Sequence, residues 1–151
     1  MIIDAYGFNH QIFDMTFTKK DRKILLVDDD ADDRKYFIEA LAEIEPSAEC
    51  ISAKDGREAL DILHNEDLVL PDYIFLDLRM PRINGRVFLQ EIKATDRLSK
   101  IPVIVYTTSQ DVAEAEEMQL QGVVKFITKP TNTEEIYFII SQALEEQDHI
   151  L

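Results

Sequence analysis

The chain has 151 residues, enough for one domain, and 46% of them are hydrophobic, enough to bury a core. Thirty acidic residues against 16 basic ones leave a formal net charge of -14, which argues against nucleic-acid binding through phosphate contacts and favours cations and basic partner surfaces. No apolar run approaches the ~20 residues that span a bilayer, and a single cysteine, Cys50, excludes an intrachain disulfide; together these point to a cytoplasmic protein with no membrane span.

The first twenty residues carry no basic residue before Lys19 and no continuous apolar block, so they are not a secretory signal. They are aromatic (Tyr6, Phe8, Phe13, Phe17) beyond what suits a disordered tail. Two alternatives stay open: the segment packs on the domain or a neighbouring chain, or translation starts at Met15.

From Asp21 onward, short apolar runs alternate with amphipathic stretches. Strands are expected over 23–28 (KILLVD), 48–53 (AECISA), 72–77 (DYIFLD), 101–107 (IPVIVYT) and 123–128 (VVKFIT). Helices are expected over 32–45, 55–66, 84–95, 109–122 and 133–147. Phe37, Ala40, Leu41 and Ile44 give the first helix its apolar spacing, Pro46 closes it, and Gly122 can end the fourth in the left-handed conformation. In the last helix, Ile136, Ile139, Ile140 and Ala143 should face the sheet, leaving Tyr137 or Phe138 partly exposed. Cys50 reads as core.

Five near-continuous apolar strands alternating with five helices imply an α/β fold, a doubly wound parallel sheet covered on both faces. Sites in such sheets form outside the carboxyl ends of the strands. Strand one ends in Asp28 and Asp29, strand three in Asp77, strand four in Thr107, with Thr108 beside it, and strand five in Lys129. Three carboxylates at one edge would raise one another's pKa unless a cation neutralised them. Oxygen ligands without histidine or cysteine select Mg²⁺ over zinc. A lysine, a hydroxyl and Mg²⁺ around one carboxylate are the parts needed to phosphorylate it.

The motifs LLVDDD (25–30), PDYIFLDLRMPRING (71–85), IPVIVYTTS (101–109) and KFITKP (125–130) resemble those of receiver domains of two-component response regulators, in order and spacing. The resemblance covers residues 22–147. It leaves 1–21 as an N-terminal extension and 148–151 as a tail. It implies the flavodoxin-like strand order 2-1-3-4-5. It further implies Asp77 as phosphoacceptor and Asp28, Asp29, Asp77 and the backbone carbonyl of Arg79 around Mg²⁺ or Mn²⁺. Lys129 and Thr107 would contact the phosphoryl group, Thr107 and Phe126 would form a switch, and the Lys129–Pro130 bond would be cis. On this likeness the protein is a single-domain regulator rather than an enzyme. A sensor histidine kinase would phosphorylate it, and it would signal through the face made by helix four, strand five and helix five, where a homodimer is also expected. The alternative is a relay that passes phosphate to a histidine phosphotransfer protein.

Other readings fail on particular residues. An aspartyl-nucleophile phosphatase needs a general acid where Arg79 stands. A flavodoxin-like cofactor binder needs a Ser/Thr/Gly-rich loop where the chain has DDDADD. An EF-hand loop starting at Asp28 would need glycine where Asp33 stands. The aspartate run divides instead: Asp28 and Asp29 point to the site, Asp30 caps the first helix, and Asp32 and Asp33 favour its dipole. His10, His64 and His149 have no partner pattern.

Overall fold

The structure is a computed structural model and describes residues 21–150, without the side chains of the last two. The expectations for the first twenty residues, and for His10, lie outside the described residues, as does the side chain of His149.

Five strands and five helices alternate: β1 (Lys23–Val27), α1 (Ala31–Ile44), β2 (Glu49–Ala53), α2 (Gly56–Leu63), β3 (Tyr73–Leu76), α3 (Gly85–Ala94), β4 (Val103–Thr107), α4 (Val112–Leu120), β5 (Lys125–Thr128) and α5 (Thr133–Ile150). The sheet is parallel throughout, in the order β2-β1-β3-β4-β5. The expected fold class and strand order are both found.

Side-chain alternation along the strands divides the core. Leu25, Val27, Ile74, Leu76, Val103 and Val105 pack with Leu60 and Leu63 of α2, Phe88 and Ile92 of α3, and Met118 of α4. Ile24, Leu26, Phe75, Ile104 and Tyr106 pack on the other face with Phe37 and Leu41 of α1 and Ile136, Ile140, Ala143 and Leu144 of α5. Period-two alternation thus buries both sides of each central strand. Phe37, Phe75 and Tyr106 meet edge to face, with ring centroids 4.8–6.4 Å apart. Phe138 is left 67% exposed, as the apolar run 136–140 requires. Cys50 is half-buried against the α1/α5 side, and burial pushes its thiol up to about 12, so it is not a reactive thiolate.

Helix starts are written in the sequence. Asp30, Asp55, Asn84 and Asp111 each accept hydrogen bonds from backbone amides of the following turn. The cap at Asp111 starts α4 three residues later than periodicity predicts, because Ser109 and Asp111 bond to the backbone instead of continuing a helix. Gly122 takes φ +94° just beyond α4, as expected.

At the other end of the sheet, α5 continues past 147, so that 148–150 of the expected tail form its last turn. Arg22 anchors this turn: its buried guanidinium donates from two nitrogens to the Asp148 carboxylate (2.8 and 2.7 Å), and its Nε–H is shared between the two carboxylate oxygens of Glu45 at the end of α1 (2.9 and 2.8 Å). Its charge also lies 5.7 Å from the centre of the Tyr73 ring.

Gly85 is required by a close approach rather than by a turn. A Cβ there would lie 2.6 Å from both the Asp77 carbonyl oxygen and the Leu78 Cα. Those are backbone atoms of the segment leaving β3, so they cannot rotate aside. Gly85→Ala should therefore cost about 1–3 kcal/mol in urea denaturation, the usual range for overpacking.

Candidate functional site

Strand register assembles the site. Val27 of β1 pairs with Leu76 of β3, and the Asp77 amide donates to the Val27 carbonyl at 2.9 Å. Asp28 and Asp77, the next residues along, therefore lie side by side at the carboxyl edge. Thr107 of β4 pairs with Thr128 of β5, and the Lys129 amide donates to the Thr107 carbonyl at 2.6 Å. This turns the lysine side chain back across the edge.

Carboxylate oxygens of Asp28, Asp29 and Asp77 all lie within 4.8 Å of one another. Asp28 and Asp77 are buried, whereas Asp29 is exposed. The Lys129 ammonium reaches Asp28 Oδ2 at 2.6 Å, Asp33 Oδ2 at 2.8 Å and Asp77 Oδ2 at 3.5 Å. Asp28 Oδ1 accepts from the Asp30 amide (2.9 Å), and Asp77 Oδ1 accepts from the Arg79 amide (3.1 Å). Asp29, Asp33, Asp77, Arg79, Thr108 and Lys129 are among the residues that line an open cleft of about 440 Å³.

The electrostatics follow from burial and crowding. Burial pushes the Asp28 carboxyl up to about 6, against the pull of Lys129 and of the Asp30 amide. Burial alone would push Lys129 down, but its hydrogen bonds to Asp28 and Asp33 outweigh it and hold the ammonium above its usual range. One ammonium thus faces three acids. The all-oxygen, histidine-free donor set matches the preference of a hard divalent cation.

Asp28, Asp29, Asp77 and Lys129 are brought together as the sequence suggested. Thr107 stands at the same edge but is fully buried, and its hydroxyl accepts only a long 3.5 Å bond from the Ser109 amide; the neighbour Thr108 lines the cleft. Phe126 is half-buried against the α2/α3/α4 side of the core. The Lys129–Pro130 bond is trans, like every other peptide bond among the described residues, which corrects the expected cis bond. Trans is the intrinsically favoured isomer by about 0.5–1 kcal/mol, and with it the lysine already reaches Asp28.

Two contributions were not foreseen. Asp33, assigned by sequence to the helix dipole alone, bonds to Lys129; it is the third residue of α1, where side chains lean back toward the helix start and so over the cleft. Glu114 on α4 is buried and pairs with Arg79 (3.5 Å) and Arg86 (2.6 Å), tying the segment after β3 to α4. Arg86 also bridges to Glu117. Nothing in the sequence spacing signalled Glu114, because its partners lie 28 and 35 residues away.

The raised pKa of Asp28 has a measurable consequence. An acid whose folded pKa exceeds its unfolded value contributes stability that is present below about pH 4 and lost as pH rises through about 6. In metal-free protein, the stability of Asp28→Asn relative to wild type should therefore rise between pH 4 and 7, by on the order of 2–3 kcal/mol. Urea midpoints taken across that range check it.

Comparison with known proteins agrees with this geometry. The family model described as the response regulator receiver domain matches residues 24–141. The response regulator Rcp1 of Synechocystis is 33% identical over 124 residues, covering 78% of this chain and 82% of that protein. A probable transcriptional regulator, ycf27 of Guillardia theta, is 34% identical over 76% of the chain, but the chain spans only 42% of its length. Several other curated relatives are likewise much longer than the match, which covers 49% of the ycf27 protein of Porphyridium aerugineum and 26% of AtoC of Escherichia coli. Among solved structures, the phosphorylated cyanobacterial phytochrome response regulator RcpA superposes with TM-score 0.77 at 33% identity, over 83% of this chain and 93% of that one. The Mn²⁺-bound form of Rcp1 gives 0.73 at 31%, over 80% and 90%. The chain belongs to the response regulator receiver domain family.

Proposed function

We propose that the protein is a single-domain response regulator that accepts a phosphoryl group on Asp77 from a sensor histidine kinase. Receiver domains are signalling proteins that interact with histidine kinases. The observation that carries the reading is a buried carboxylate, Asp77, grouped with two others and faced by one ammonium at 3.5 Å. Mg²⁺, or Mn²⁺ as in the Rcp1 structure, would be held by Asp28, Asp29, Asp77 and the carbonyl of Arg79. Such a cation would offset charge on the transferring group.

In the step itself, a carboxylate oxygen of Asp77 attacks phosphorus, the bond to the donor histidine nitrogen breaks, and that nitrogen keeps the electron pair. Lys129 stays protonated and orients the phosphoryl oxygens, which its raised pKa favours. The Arg79 amide, bonded to Asp77 Oδ1, fixes the carboxylate rotamer so that the other oxygen faces the cleft. Thr107 hydrogen-bonds the phosphoryl group once its hydroxyl turns outward, and Phe126 follows that movement.

Output passes through the face of α4, β5 and α5. Leu120 (89% exposed), Val124 and Phe138 give it an apolar component, and Glu116 and Glu117 an acidic one, which suits a basic partner or a second copy. A homodimer through this face should appear by light scattering with an aspartyl-phosphate mimic bound; a monomer with and without the mimic removes it.

Incubation with acetyl phosphate and Mg²⁺ tests the chemistry. The wild type should gain one phosphoryl mass. Asp77→Asn and Asp29→Ala should show none, and Lys129→Ala should be slowed about 100-fold. Labelling that persists in Asp77→Asn refutes the acceptor. Arg79→Ala should change the half-life of the phosphorylated protein, since Arg79 lies at the mouth of the cleft.

A further inference from the structure

The Lys129 ammonium has three donors, and its two short contacts do not include the proposed acceptor. Asp28 and Asp33 stand at 2.6 and 2.8 Å, whereas Asp77 stands off at 3.5 Å. The lysine is thus held across the cleft toward α1, above the Tyr106 ring at 5.7 Å. The two short contacts differ in kind. Asp28 belongs to the carboxylate group suited to a cation, so a bound cation would draw it away from Lys129. Asp33 lies outside that group, and among the described residues Lys129 is the only cation paired with it. The Asp33 side chain is 35% exposed, so water can solvate it when the lysine leaves.

We propose that Asp33 is a positioning residue that holds Lys129 back from Asp77 in the unphosphorylated protein. Phosphoryl transfer must then exchange the Asp33–Lys129 contact for one between Lys129 and the phosphoryl oxygens. The inference rests on the reading of Asp77 as acceptor. It assigns Asp33 a role distinct from that of an acid in a helix's first turn, which Asp32 fills equally well without touching Lys129.

The same difference supplies the test. Acetyl phosphate is the donor: an Asp77 oxygen attacks phosphorus, the phosphorus–oxygen bond to the acetyl group breaks, and acetate leaves with the electron pair. Rates are measured at saturating Mg²⁺ for wild type, Asp33→Asn, Asp33→Ser, Asp33→Glu and Asp32→Asn, with thermal melts to verify folding. Asp33→Asn and Asp33→Ser should phosphorylate about three- to fivefold faster, the scale of a partly exposed ion pair. Their Mg²⁺ dissociation constant should stay within about twofold of wild type, because Asp33 is not in the cation group. Asp33→Glu keeps a carboxylate within reach and should restore the wild-type rate. Asp32→Asn removes the same charge from the same turn of the cleft rim and should change the rate less than about 1.5-fold.

Unchanged or slower phosphorylation in either Asp33 variant that lacks a carboxylate overturns the inference. So does equal acceleration in Asp32→Asn, which would make the effect one of general charge. A wild type that takes no phosphoryl group overturns the acceptor reading and this inference together, whereas a labelled wild type with unaccelerated Asp33 variants overturns this one alone.

Discussion

Three carboxylates meeting one ammonium at the carboxyl edge of the sheet set the terms for the rest of the molecule. Asp28 and Asp77 are buried beside each other, and among the described residues Lys129 is the one cation that contacts both. Such an arrangement is unfavourable in isolation, since buried like charges repel and each has lost water. The fold sustains it by backbone means. The ladder between β1 and β3 fixes the two aspartates, and the ladder between β4 and β5 delivers the lysine. Around them, amides of Asp30 and Arg79 occupy one oxygen of each buried carboxylate.

The cores on the two faces hold that frame rigid while leaving its edge open. Every residue of β3 and β4 is buried, and aromatic contacts among Phe37, Phe75 and Tyr106 lock α1 to the central strands. The edge is therefore adjustable only through side chains and through the loops that carry Arg79, Thr108 and Pro130. Glu114 extends that adjustable region to α4, since a shift in Arg79 alters the partners of a buried acid on that helix.

Much of this was legible beforehand because local rules and global fold agree. Apolar runs of strand length, alternating with helical periodicity, gave the order of elements and hence which residues end the strands. Asp30 and Gly122 announced a helix start and a helix end, and the structure places both there. The points that escaped depend on direction or distance. Helix periodicity placed Asp33 in the first turn of α1 but not its side chain over the cleft. The extra turn of α5 depends on Arg22, 126 residues away, which periodicity cannot register. The peptide bond before Pro130 turned on family resemblance rather than on any local signal, and it is trans.

Arg22 also gives the molecule a polarity. It gathers the start of β1, the end of α1 and the last turn of α5 at the pole opposite the cleft. Among the described residues, β1 starts and α5 ends at that pole, with the full length of the strands between it and the carboxylates. A probe attached to a side chain at that pole would thus be separated from the cleft and its rim by the length of the sheet.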